Sequence, residues 1–195
     1  MPARKSHAPR AIYQIKITLL HTRPPIWRRL LAPSEMNLED LHAMVQAAMP
    51  WDGDHLHDFR IGQRRFGRPN PEHRMMGEDP DIDEGIVRLA SVLDKVGAKA
   101  RYTYDFGDDW QHEIAVEKVL APEPGKAYPV CIDGKRAGPP EDCGGVWGYH
   151  GLLEAIADPK HEQHGESKDW LGDEYDPEAF SVEDVNRRLA YLQRR

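Results

Sequence analysis

The sequence predicts an α+β fold, a mostly antiparallel sheet built from hairpins with helices packed on it and a helical C-terminus. Three observations lead there. The stretch YTYDFGDDWQHEIAVE, Tyr102 to Glu117, has the two-residue period of a hairpin around a Gly-Asp-Asp turn. A second pair of strand-like segments near the N-terminus is joined through Pro24-Pro25. Helical patterns with capping signals fall between and after these strands, placed to lie on one side of a sheet. A β-grasp-like arrangement is one topology of this kind.

In chain order, residues 1–11 are a basic, Pro-containing arm expected to be disordered. Residues 12–195 read as one domain, with an α+β core over about 12–120 and a loop and helical part over about 121–195. Tyr13, Ile15, Ile17 and Leu19 alternate with polar residues, which gives a half-buried strand. IWRRLL, Ile26 to Leu31, is its hairpin partner. A helix follows: Asn37 caps it, Glu39 and Asp40 sit at its positive end, and Pro50 stops it. Its stripe of Leu38, Leu41, Val45 and Ala48 or Met49 covers the sheet. A short strand spans about Leu56 to Ile61, and the next two dozen residues read as a long mobile loop. Leu89, Val92, Leu93 and Val96 have helical spacing, ended by Gly97.

The central hairpin comes next. Ala100, Tyr102, Tyr104 and Phe106 share one face of the first arm; Trp110, His112, Ile114 and Val116 share one face of the second. Gly107-Asp108-Asp109 supplies the turn. Residues 131–145, CIDGKRAGPPEDCGG, read as a compact loop. A helix over about Gly148 to Ala157 uses Leu152, Leu153 and Ile156, and an acidic loop runs from Asp158 to Glu178. The last helix starts at Ser181, paired with Asp184 in a variant capping box, and is seamed by Val182, Val185, Leu189 and Leu192.

Composition excludes several classes. The chain is 39% apolar and 30% charged, without the apolar run of roughly 18–20 residues that a transmembrane helix needs. No membrane role is expected. Two cysteines and no export signal point to reduced thiols in a cytoplasm. The net charge of −7 is uneven: residues 1–34 carry seven Lys or Arg and no acid, and the remainder has 19 basic against 33 acidic residues, a balance of −14. So acidic a body repels a phosphate backbone. Nucleic acid is therefore disfavoured as a partner, and only the basic N-terminal sector, with Arg23, Arg28 and Arg29, is placed to contact it.

Three constellations have chemistry in them. The hairpin turn gathers Asp105, Asp108, Asp109 and His112, a set able to bind a divalent metal or to act as an acid and base. His55 and His57 share a face if both lie in a strand, a spacing suited to two ligands of one zinc or iron ion, with His112 or Asp105 completing the site. Glu141, Asp142 and Cys143 lie in a loop fixed by Pro139-Pro140 and Gly144-Gly145. Cys131 and Cys143 form no CxxC, and a Cys2His2 site would need His161 and His164. GEDPDIDEG approaches a calcium loop, but its glycine arrives late at Gly85 and Ala90 holds the twelfth position. No P-loop, GxGxxG or GxSxG is present, and none of the five serines has a nucleophile's setting.

The segments IYQIKITLLHTRPPIWRRLLAP, HLHDF, YDFGDDWQHEI, GPPEDCGGVWGYHGLLEAIADP and FSVEDVNRRL resemble the Ri-plasmid ORF-three-like family. These plasmid Orf3-like proteins are also labelled TnpR-type passenger proteins of insertion elements. The resemblance implies a mobile-element association and an uncharacterised activity. The resolvase label does not fit the chemistry, because neither Ser6 nor Ser34 has a recombinase nucleophile's arginine-rich setting. The resemblance also implies a further cysteine in many relatives where this chain has Gly138.

The leading reading is a cytoplasmic, non-catalytic binding module with an unknown protein partner. Tyr104, Phe106 and Trp110 would then be core, Asp105 and Asp108 turn anchors, and the PPEDCGG loop a rigid lid over the hairpin. The alternative is a metal-dependent hydrolase or nuclease, with Zn, Mn or Fe held by His55, His57, His112, Asp105, Asp108 and Glu141 or Asp142. A third reading is weak nucleic-acid binding through the N-terminal sector.

Overall fold

The computed structural model describes residues 9–69, 82–172 and 174–194. The arm expected over 1–11 and the loop expected after Ile61 fall partly outside these residues, as do Asp79 and Asp81 of the calcium-like run.

Among the described residues, eight strands form one sheet: β1 (Ile12–Leu19), β2 (Ile26–Pro33), β3 (His57–Ile61), β4 (Arg64–Gly67), β5 (Ile82–Asp83), β6 (Lys99–Tyr104), β7 (Trp110–Leu120) and β8 (Val130–Lys135). Their order is β5-β4-β3-β6-β7-β1-β2-β8. Every pairing is antiparallel except β4 with β5. The helices are α1 (Leu38–Ala48), α2 (Leu89–Val92), α3 (Gly145–Ala157), α4 (His164–Leu171) and α5 (Val182–Leu189). The fold is α+β, and the β6–β7 hairpin lies near the sheet's centre, between β3 and β1.

Alternation decides which face is covered. Ile15, Ile17 and Leu19 of β1, Leu30 of β2, Phe59 of β3, Tyr102 and Tyr104 of β6, and Trp110 and Ile114 of β7 are buried beneath α1 and the C-terminal helices. The opposite face is polar. Glu117 is the extra residue of a β7 bulge opposite Gln14 and Ile15, and its carboxylate accepts from Arg29 at 2.6 Å and from Gln14 at 2.7 Å. α1 starts where its capping signal stands, with the Asn37 side chain accepting from the Asp40 N–H at 2.7 Å. Ser181 caps α5 in the same way, from the Asp184 N–H at 3.1 Å.

Several expectations change. The stretch after Ile61 is not all loop: Gly62 adopts φ +61, so the chain turns tightly and β4 pairs back on β3. α2 is a single turn, because the Gly97 N–H donates to the Val116 carbonyl at 2.8 Å and draws the chain into β6, leaving Val96 exposed. Phe106 is not core but 46% exposed. β6 ends at Tyr104, and Asp105 takes a left-handed φ of +55 that breaks the strand's alternation. The loop expected over 131–145 begins with the edge strand β8, whose Gly134 leaves room for the Phe180 ring. The acidic segment after Asp158 contains α4.

Candidate functional site

The loop at 139–144 is held by four hydrogen bonds, two to the hairpin and two to the segment that follows α1. Trp51 Nε1 donates to the Pro139 carbonyl at 2.8 Å. The Asp52 N–H donates to Glu141 Oε2 at 2.8 Å, and the Tyr104 hydroxyl donates to Glu141 Oε1 at 2.5 Å. The Gly144 N–H donates to Asp108 Oδ2 at 3.2 Å. The Trp51 indole also stacks on the Tyr104 ring, centroids 5.1 Å apart. Burial, then the Glu141 carboxylate, push the Tyr104 phenol well above its ordinary range, so the proton stays on tyrosine. Gly145, at φ +66, lies so close to the hairpin that a Cβ there would overlap the Asp108 carbonyl.

At the edge of this clamp, three side chains converge. His55 Nδ1 lies 3.7 Å from Asp105 Oδ2 and His55 Nε2 lies 3.3 Å from Asp142 Oδ1. One ligand atom from each of His55, Asp105 and Asp142 falls within 4.8 Å of the others, the only such group among the described residues. Both aspartates have left-handed backbones, φ +55 and +56, a conformation that Asp and Asn adopt more readily than other non-glycine residues. Two carboxylates and an imidazole suit a borderline or hard divalent cation, with the remaining positions open to water.

The other expected residues are dispersed. His57 is not beside His55 on one face, because β3 starts at His57 and His55 precedes it. His57 Nε2 instead bonds both Glu84 oxygens at 3.0 and 2.9 Å, and its ring stacks on His42 with centroids 3.6 Å apart. His42 Nδ1 lies 2.7 Å from the Tyr102 hydroxyl, which accepts from Gln46 Nε2 at 2.8 Å. Burial, then His57, lower the His42 pKa to about 3, which makes it the neutral acceptor of the tyrosine proton. His112 is not at the turn but fully buried between Trp51 and Tyr102, its Nδ1 on the Trp110 carbonyl at 3.1 Å. Burial lowers its pKa to about 3, and it stays neutral.

Cys131 is buried on β8 and Cys143 lies in the clamped loop; neither joins a ligand cluster among the described residues, so the Cys2His2 option fails. Burial, then Asp108, push the Cys143 thiol up to about 12, and it carries no thiolate at neutral pH. At Gly138 a Cβ would overlap the Met49 carbonyl, so this position has no room for a cysteine side chain.

The basic sector divides as well. Arg28 points into the core, contrary to a role on phosphate. Its guanidinium donates to the carbonyls of Ala48, Trp27 and Lys135 at 2.9, 2.9 and 3.0 Å and lies over the Phe180 ring. Arg29 is paired with Glu117 and Asp133. Arg23 lines a groove of about 560 Å³ with His21, Trp147 and His150. Among the described residues, no helix is long and apolar enough to cross a membrane. Trp51, His42 and Glu84 were singled out by no motif; each is placed by contacts between elements distant in sequence.

An α+β sheet with a loop clamped over its central hairpin defines the class of protein. The chain belongs to the plasmid pRiA4b ORF-3-like family, whose model matches residues 11–184. It is similar to the uncharacterized protein y4hQ of Sinorhizobium fredii (strain NBRC 101917 / NGR234), 40% identical over 181 residues, which cover 92% of this chain and 91% of the relative. It is also similar to the crystal structure of MM3350, a protein of unknown function from Methanosarcina mazei Go1. That match has a TM-score of 0.81 and 36% identity, covering 91% of this chain and 98% of the other.

Proposed function

We propose that the chain is a non-catalytic binding module for a partner protein in the cytoplasm, serving plasmids or other mobile elements. One observation carries this reading: most of the polar residues that catalysis would need are spent on architecture. Asp108 holds the Gly144 N–H, Glu141 is satisfied by Tyr104 and Asp52, and His112 is buried and neutral. The product is a rigid lid that presents α3 and α4 at the surface. The test is the stability of Asp108→Asn and Glu141→Gln, with and without added divalent metal. The reading expects both to lose stability to the same extent in either condition. Variants as stable as the parent that lose a metal-dependent hydrolysis would overturn it.

A second reading rests on the convergence of His55, Asp105 and Asp142. These three would hold Zn, Mn or Fe, and a metal-bound water would be the nucleophile of a hydrolase. Elemental analysis of tag-free protein dialysed against a weak chelator tests it. About one equivalent of metal, lost in a folded His55→Ala variant, supports the ion; metal-free parent protein rejects it.

A further inference from the structure

We propose that the crevice between α3 and α4 takes a cationic side chain, a lysine or arginine of the partner polypeptide. The inference rests on the binding-module reading and names what the module's surface would grip.

The crevice holds about 400 Å³, room for one long basic side chain. Its floor is Gly148, Gly151 and Leu152 of α3, and a Cβ on Gly151 would meet nothing within 4 Å. Its far wall is Glu166, Ser167 and Trp170 of α4. The two helices are tied where His164 Nδ1 meets the Ala155 carbonyl at 2.8 Å. Asp142, Cys143 and Gln163 close the rim.

The lining chemistry selects charge. Among the described residues, no lysine, arginine or histidine lines the crevice, whereas Asp142 and Glu166 do. Glu166 has no ion-pair partner among the described residues. Trp170 is half exposed and offers an indole face, to which a guanidinium or ammonium is attracted by the ring quadrupole. Ser167 is only 6% exposed, and its hydroxyl makes no hydrogen bond among the described residues. Its oxygen lines the crevice rather than being sealed from water, and it is free to accept from a ligand. An arriving N–H donor would satisfy it. An anion would meet two carboxylates, and an apolar group would leave Glu166 and the hydroxyl unpaired. The whole chain's charge of −7 steers cations toward it at long range.

Blocked Gly-Arg-Gly and Gly-Lys-Gly peptides, with Gly-Glu-Gly as control and spermidine as a free polyamine, are titrated against the full chain and followed by NMR. The expected result is a saturable shift of the Trp170 indole N–H and the Gly151 amide with the basic peptides alone. Glu166→Gln and Trp170→Ala, both at exposed positions, should each raise Kd about fivefold, the equivalent of about 1 kcal/mol. Ser167→Ala should raise it about twofold. Equal binding of Gly-Glu-Gly, no saturable shift, or a Kd indifferent to the variants would overturn the assignment. Binding of spermidine without the peptides would reassign the crevice to a free amine. If the peptides fail while Glu141→Gln still destabilises independently of metal, the crevice falls and the module reading stands.

Discussion

The two histidines of His55-Leu56-His57 end in opposite surroundings. His57 is shut into a closed network with Glu84, His42, Tyr102 and Gln46, in which rings stack and most donors and acceptors are matched inside the protein. His55 stands on an open rim with Asp105 and Asp142, whose side chain is 73% exposed. Two residues of separation, with a strand boundary between them, divide architecture from a surface with spare valence. Spacing alone does not make a ligand pair; both residues must lie in the regular element that gives the spacing its meaning.

Removing one member of the closed network should have the largest effect. Glu84 is 1% exposed, and its 3₁₀ turn holds the chain against His57 and α1. Glu84→Ala leaves the His57 ring nitrogen without its buried partner, a loss of about 2–3 kcal/mol. Chemical denaturation checks this, as a fall in midpoint with unchanged slope. A variant within about 0.5 kcal/mol of the parent would show that the network is not the closed unit described.

The closed side also fixes a pH dependence. His42 and His112 have pKa values near 3 in the fold, against about 6.5 in the unfolded chain. Between those values the unfolded state binds protons that the native state refuses. Stability is therefore complete above pH 6.5 and falls as pH drops toward 3, by about 1.4 kcal/mol per pH unit for each histidine. His112→Phe keeps the ring, removes the unpartnered Nε2, and should flatten the curve by one histidine's share. An unaltered slope would mean that His112 titrates normally.

Local signals made much of this legible. The alternation in β1, β2, β6 and β7 located the central strands, and the Asn37 and Ser181 caps located α1 and α5, because each is set by residues within a turn or a pleat. Elements selected by tertiary contact were hidden. β8 carries Gly134 for the sake of Phe180, and β4 buries only Phe66 and Gly67, so neither shows a strand's period. Of the site, the residues Asp105, Asp142 and His55 were legible, but their grouping apart from His57 and His112 was not. Glu84 meets His57 only because β3 joins β6, while β4 and β5 carry the chain back past α1.

Tyr104 links the two sides, its ring in the core and its hydroxyl on the lid. Tyr104→Phe preserves packing but strips Glu141 of a charge-assisted hydrogen bond, an expected loss of about 1.5–2 kcal/mol. Thermal denaturation reads it, and in a double-mutant cycle Glu141→Gln should add little to it, since both act on one contact. Full additivity would separate the lid from the hairpin.

The smallest stability effect belongs to the open rim. Asp142 contributes one exposed oxygen to His55 at 3.3 Å, a contact worth little in water. Asp142→Asn keeps the side chain's size and should leave the unfolding free energy within about 0.5 kcal/mol of the parent. The left-handed backbone also suits asparagine, so the loop keeps its path. If the rim holds a cation, however, the same change removes one of its two carboxylates, and zinc or manganese uptake by calorimetry should drop at least tenfold with no change in folding. Loss of stability and metal together would place Asp142 with Glu84 on the architectural side. Loss of metal alone would separate the two histidines by role as well as by position.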